Sequence, residues 1–306
     1  MNATNALEAS SLCKRYGRTR ALDGCTLAVP AGSVVALVGP NGAGKTTLLH
    51  LAVGLTSPTS GTVTVLDGVV PGSLAALQRV GFVAQDTPLY RNLSVDDTLR
   101  FVANLSATWD EATARGHLAR LEIPPDRKVG HLSGGQQAQV SLTVALARHP
   151  DLLVLDEPVA RLDPLARHDF MAVLMAAVAE EGISVLFSSH VVAELQRVSD
   201  YLVVLNHGRV QVAGDVEELL DTHCLLTGPS VEAPNVATSH AVVQSQESDR
   251  QTRLLTRTPP GFVPPPGWAV GPTNLEELVL AYLRSRSATA LPGPRSSSGA
   301  DIRATA

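Results

Sequence analysis

Gly39, Gly44, Lys45 and Thr46, in the stretch "GPNGAGKTT", stand in the spacing G-x-x-x-x-G-K-[ST]. Glycines at those positions let backbone N–H groups wrap phosphate oxygens. Lys45 sets a positive charge against the β and γ oxygens, and Thr46 offers a hydroxyl to Mg²⁺. Lysine occurs only at Lys14, Lys45 and Lys128 in a chain otherwise given to arginine, which makes position 45 conspicuous. A second cluster closes "LLVLDEP", where Asp156 is placed to hold Mg²⁺ and Glu157 to act as general base toward an attacking water. Two carboxylates at a strand end also serve as helix caps or solvated charges, but beside a phosphate loop the catalytic reading is the stronger. Gln85 ends "VGFVAQ" and His190 ends "ISVLFSSH". Each is as readily a structural residue as a functional one when taken alone.

The stretch "HLSGGQQ" (131–137) adds a different kind of site. Ser133 is a favoured N-cap, and a capped helix start is the plain reading. A cap needs one residue, however, and Ser133, Gly134, Gly135 and Gln136 together leave a helix N-terminus with small side chains. Such an end presents unpaired N–H groups and the positive end of the helix dipole, which together attract an anion.

These residues need elements to carry them. "SVVALVG" before the glycine loop and "LLHLAVGL" after it spell strand, loop and helix, as in a buried parallel strand feeding a crossover. "DLLVLDEP" and "ISVLFSSH" repeat the apolar strand that stops at polar residues, and helical patterns at 93–122, 165–181 and 191–198 alternate with them. The expectation is an α/β fold, a P-loop parallel sheet with ligands bound beyond the carboxyl ends of its strands. Shorter alternating patterns at 5–30 and 61–70 suggest an antiparallel β flank. The predicted organisation is an ATP-binding domain over 1–224, with a helical subdomain at about 86–150 carrying the "LSGGQ" stretch. A small α+β extension follows over 225–287, closed by a helix at 274–286 capped by Asn274. A Ser/Pro/Gly/Ala-rich tail at 288–306 is expected to be disordered.

Composition narrows the class. The chain of 306 residues has a net charge of -5 and a pI near 6.0, without the basic footprint that nucleic-acid binding requires. Cys13, Cys25 and Cys224 are odd in number and scattered, so neither a disulfide framework nor a metal site follows, and a reducing cytosol fits. No stretch reaches the roughly 18 apolar residues of a membrane span, so any membrane role must come through a partner.

"LSGGQ" between the phosphate loop and the Asp-Glu strand would arise by chance in on the order of one chain in a few thousand. At this point the sequence resembles the ATP-binding subunit of bacterial ABC transporters, over residues 5–220 or so. The resemblance implies ATP and Mg²⁺ as ligands. It places Tyr16 against adenine and makes Gly39, Pro40, Asn41, Gly42, Ala43, Gly44, Lys45, Thr46 and Thr47 the Walker A loop. Gln85 becomes the Q-loop, with Gln85, Thr46 and Asp156 toward the metal. Asp156 and Glu157 close Walker B, Leu162 and Asp163 form the D-loop, and His190 is the switch histidine. It further implies a homodimer, or closely related heterodimer, sandwiching two ATP, with Ser133 to Gln136 serving the γ-phosphate held by the other chain. Separate transmembrane permease subunits would anchor the pair to the cytoplasmic face of the membrane.

There are departures from the family pattern. Gln137 and Ala138 stand where a basic residue is usual, and Arg161 stands where a small one is common. None of these touches ATP or Mg²⁺ in the family scheme. The closing "NLEELVLAYL" resembles the terminal helix of bacterial drug- and antibiotic-exporter ATPases, which favours export over import. A soluble ABC ATPase of translation or DNA maintenance fits less well: there is one motif set, no sustained heptad run in 86–132 and an acidic balance. A subunit that binds ATP only to regulate a partner would not need Glu157.

Overall fold

The computed structural model describes residues 5–190, 192, 198–258 and 261–285. The chain forms two compact units, Met1–Val210 and Gln211–Ala306.

The first unit is built on a sheet whose central strands are buried from end to end. β3 (Val34–Val38), β6 (Leu152–Leu155) and β7 (Ser184–Ser189) are buried at every position, as expected of a parallel sheet covered on both faces. With β5 (Val80–Val83), β8 (Tyr201–Asn206) and β9 (Arg209–Asp215) they run in the order β5-β6-β7-β3-β8-β9. The β5–β6, β6–β7, β7–β3 and β3–β8 pairs are parallel. The antiparallel flank has the order β2-β1-β4, from β1 (Asn5–Tyr16), β2 (Thr19–Pro30) and β4 (Ser60–Val65).

Helix α1 (Lys45–Ala52) follows the glycine loop and α2 (Leu74–Arg79) precedes β5. The stretch 93–122, expected to be helical throughout, is two helices, α3 (Val95–Leu105) and α4 (Glu111–Arg120). Asp110 ends the continuity by capping α4, its carboxylate accepting from the Thr113 N–H at 2.9 Å. These helices pack on α5 (Gly134–Leu146) through Leu99, Leu118, Ile123 and Val140, a small core separate from the sheet. α6 (Pro164–Glu181) lies between β6 and β7 in sequence, close to its expected bounds. The helix expected at 191–198 falls largely outside the described residues.

The second unit runs from Gln211. It holds β10 (His223–Pro229), an inner strand of an antiparallel sheet in the order β11-β12-β10-β13. β11 (Ala241–Glu247), β12 (Gln251–Arg257) and β13 (Ala269–Pro272) complete it, with α7 (Val216–Asp221), α8 (Ala233–Ser239) and α9 (Leu275–Arg284). The β10–α8–β11 connection leaves room for β12 between its two strands, a split β-α-β arrangement. Leu226, Leu254, Val236 and Trp268 fill one face of the sheet. α9 opens as expected on Asn274, whose side chain accepts from the Glu277 N–H at 2.9 Å. The tail at 288–306 lies outside the described residues.

Candidate active site

Strands β5, β6, β7 and β3 are consecutive neighbours and parallel, so the residues just past their carboxyl ends line up about 5 Å apart from strand to strand. Those residues are Gln85, the Asp156–Glu157 pair, His190 and the loop from Gly39.

The loop closes on itself and on the sheet. The Ala43 N–H donates to the Pro40 carbonyl at 3.0 Å, and the Ala43 carbonyl accepts from the Gly208 N–H at 2.9 Å. Gly44 caps α1 with φ at 108°, and a Cβ there would sit 2.6 Å from the Ala21 carbonyl oxygen, so no other residue fits. The cap supplies no side-chain acceptor. The first-turn N–H groups of α1, beside exposed Asn41, Gly42 and Thr46, therefore face outward with the dipole's positive end, which suits phosphate.

Lys45 is 5% exposed. Its Nζ lies 2.8 Å from the Gly39 carbonyl and 3.4 Å from that of Pro40, and 3.2 Å from Glu157 Oε1. The other carboxylate oxygen, Oε2, faces His190 Nδ1 at 3.2 Å and Gln85 Nε2 at 3.5 Å. Four of the expected site residues thus meet at one carboxylate. Glu157 also has φ at 45°, in the left-handed region that is costly for a non-glycine residue and concentrates at functional sites.

Asp156 is 2% exposed. Its Oδ1 accepts from the Ser188 hydroxyl at 2.8 Å; among the described residues no cationic side chain pairs with it. A buried carboxylate without a cation is expensive, which a hard divalent ion beside it would offset. Thr46, Asp156 and Gln85 supply oxygen donors of the kind Mg²⁺ takes. Among the described residues no group of three or more His, Cys, Asp or Glu could hold a metal. An ion held by so few protein ligands would lean on substrate phosphates, as Mg²⁺ commonly does.

The remaining expected residues lie apart from this cluster. Tyr16 is 50% exposed, with Lys14 Nζ 5.0 Å from its ring centroid; Thr47 is half-buried on α1. Asp163 caps α6, accepting from the Leu165 and Ala166 N–H groups at 3.0 and 2.9 Å. Ser133 caps α5 in a reciprocal box: its hydroxyl accepts from the Gln136 N–H and its own N–H donates to Gln136 Oε1, both at 3.1 Å. A Cβ on Gly135 would lie 2.8 Å from the Ala166 side chain, so close packing of α5 on α6 requires that glycine, whereas Gly134 has open space.

Three contacts went unnoticed in the sequence. Ser188 bridges Asp156 and Glu157, its oxygen also accepting from the Glu157 N–H at 2.8 Å. β7 reads SVLFSS, so nothing local set Ser188 apart from Ser184 and Ser189. Arg161 pairs with Asp86 at 3.1 Å, joining the residue after Gln85 to the loop after Glu157. Lys14 donates to the Ser57 carbonyl at 2.7 Å while lying against Tyr16. The last two depend on partners distant in sequence and left no local pattern.

Residues 22–160 match the family described as "ABC transporter". The chain is 35% identical over 226 residues to a sulfate/thiosulfate import ATP-binding protein of Vibrio vulnificus, covering 71% of this chain and 66% of that relative, just under two thirds of its length. It is 37% identical over 231 residues to a Nod factor export ATP-binding protein I of Burkholderia lata, covering 74% of this chain and 76% of the relative. A solved structure of the ATP-binding subunit of an ABC transporter superposes with a TM-score of 0.62 at 29% identity, over 70% of this chain and 91% of the other.

Proposed function

This chain belongs to the ABC transporter family of ATP-binding subunits, which hydrolyse ATP, and from that premise we propose how its residues divide the work. The observation that carries the reading is the Glu157 carboxylate held by Lys45, His190 and Gln85 at the ends of neighbouring strands. ATP stacks its base on Tyr16 and lays its phosphates along Gly39 to Thr47. Its β and γ oxygens then replace Glu157 as partners of Lys45. Glu157 Oε1, released from the ammonium, takes the proton of the attacking water, while His190 and Gln85 keep Oε2 in place. Mg²⁺, when bound, neutralises charge on the phosphates, and Thr46, Asp156 and Gln85 are the residues that hold it.

Two partner surfaces go with this reading. Ser133 to Gln136 make no contact with the Lys45–Glu157 cluster of their own chain, and the open space at Gly134 suits close approach by the nucleotide of a second copy or a near relative. The second surface is an apolar groove lined by Leu55, Leu74, Leu77, Phe82, Val102 and Leu105, in which Leu74 and Leu105 are 72% and 73% exposed. Exposed apolar patches of this kind mark interfaces, and this one includes Phe82 of β5, the strand that leads to Gln85. It suits a segment of a separate membrane subunit, which would hold the chain at the cytoplasmic face. No described helix is long and apolar enough to cross a membrane. We propose export as the direction, supported by the terminal helix from Leu275 to Arg284; the transported substrate belongs to the membrane subunits.

The test is Glu157→Gln, which keeps shape and removes the base. It should bind ATP as the wild type does and hydrolyse it at least ~100-fold more slowly. Wild-type turnover in that variant would remove Glu157 from the role.

A further inference from the structure

Glu157 leaves β6 with a left-handed φ of 45°, and the contact that holds its N–H comes from the neighbouring strand. Ser188, fully buried on β7, presents one hydroxyl to two consecutive residues of the site. Its oxygen accepts from the Glu157 N–H at 2.8 Å, and its proton goes to Asp156 Oδ1 at 2.8 Å. A hydroxyl has one proton and two lone pairs. Because the proton is committed to the carboxylate of Asp156, a lone pair is left aimed at the Glu157 amide. The register Leu155↔Phe187 between β6 and β7 brings Ser188 level with Asp156. Alanine at 188 would orphan both groups, and a backbone held in a sparsely populated conformation by its surroundings would lose one of its restraints.

We propose that Ser188 is a positioning residue for hydrolysis, setting the direction in which Glu157 projects and fixing Asp156 relative to it. This rests on the reading of Glu157 as the general base. Ser188 touches neither phosphate nor water in this scheme and acts only through the two carboxylates. Small displacements of a base cost about 100-fold when they spoil alignment. Ser188→Ala should therefore lower kcat by about 10- to 100-fold, with the KM for ATP within about twofold of wild type, as for loss of an interaction made only in the transition state. Nucleotide titration of the same preparations, by fluorescence with and without Mg²⁺, counts folded sites, and rates are expressed per titrated site.

A cycle of four proteins separates positioning from general damage. If Ser188 works mainly through Glu157, adding Ser188→Ala to Glu157→Gln lowers the residual single-turnover rate far less than it lowers the wild-type rate, because only its hold on Asp156 is left to lose. The same 10- to 100-fold drop in both backgrounds would mean a structural role and overturn the inference. A slow Glu157→Gln beside a normal Ser188→Ala would overturn the inference while leaving the base in place. A fast Glu157→Gln would overturn both.

Discussion

His190 in the first unit and His223 in the second are the same side chain put to opposite uses. His190 follows the last residue of β7, its side chain 44% exposed, with Nδ1 3.2 Å from the Glu157 carboxylate. His223 opens β10 at 3% exposure. Its Nδ1 lies 2.6 Å from the Leu219 carbonyl and its Nε2 2.8 Å from the Tyr282 hydroxyl. A carbonyl only accepts, so Nδ1 carries the proton and Nε2 accepts from Tyr282. Burial pushes the His223 pKa down, with Arg257 adding to the effect against the Leu219 carbonyl; burial pushes the Tyr282 phenol up to about 12. Both nitrogens of His223 are used and neutral, which makes it a tie between β10 and α9. His190 faces a charge and solvent, where its donor can follow a reaction.

The contrast is sharpened most by removing the exposed histidine. His190→Ala should cut ATP turnover by about 100-fold or more, the lower bound for a group engaged in proton transfer or in holding the base. It should leave the thermal midpoint near wild type, since a half-exposed side chain buries little. A steady-state ATPase assay beside a melting curve checks both. Unchanged turnover would place His190 with His223 among the structural histidines.

The converse change is smaller and has the opposite signature. Tyr282→Phe leaves the buried Nε2 of His223 without a donor and should cost about 1–3 kcal/mol in the second unit, with ATPase activity retained. Hydrogen exchange of peptides covering β10 and β12 would register the loss. The same pair gives a pH dependence. A histidine with a lowered pKa in the fold binds its proton more weakly there than in the unfolded chain. As pH falls below the ordinary value of 6.5, the unfolded chain gains a proton that the folded unit refuses. Stability therefore declines from there until pH has dropped through the lowered folded value. Above that window this group contributes no slope, and protection of β10 should be flat.

The smallest effect belongs to Arg161. Its ion pair with Asp86 joins side chains 70% and 79% exposed, and exposed pairs contribute between nothing and about 1 kcal/mol. Arg161→Ala should leave the melting midpoint and ATP affinity almost unchanged, which a titration at two salt concentrations would check.

The parts that were legible in the sequence are those whose signal is local. Continuous apolar runs ending in Gly39, Asp156 and His190 disclosed both the buried strands and the line of strand ends, because in a parallel sheet those two facts are one. Asn274 disclosed its helix because a cap acts within three residues. Asp110 carried a signal of the same kind, and the periodic pattern on either side of it hid the break between α3 and α4. Ser188 and the Arg161–Asp86 pair needed the strand order before their partners could be known. Gly135 reads in sequence as an anion-binding residue, yet its fit against Ala166 gives it a packing reason as well, so an acid placed there would damage α5 against α6 before it tested any nucleotide contact.

Ser133 is for that reason the position at which to ask whether one ATP site is built from two chains. Ser133→Arg loses a cap, at about 0.5–2 kcal/mol, but leaves Tyr16, Lys45 and their loop intact. The measurement is ATPase activity of Ser133→Arg alone, of Lys45→Ala alone, and of the two mixed. If the α5 end of one chain completes the site of the other, Ser133→Arg binds ATP as the wild type does and hydrolyses almost none. Mixing then restores activity, up to about a quarter of the wild-type rate per chain for random pairing, because each mixed pair holds one site with neither defect. A Ser133→Arg protein that hydrolyses ATP at the wild-type rate by itself would contradict the shared site.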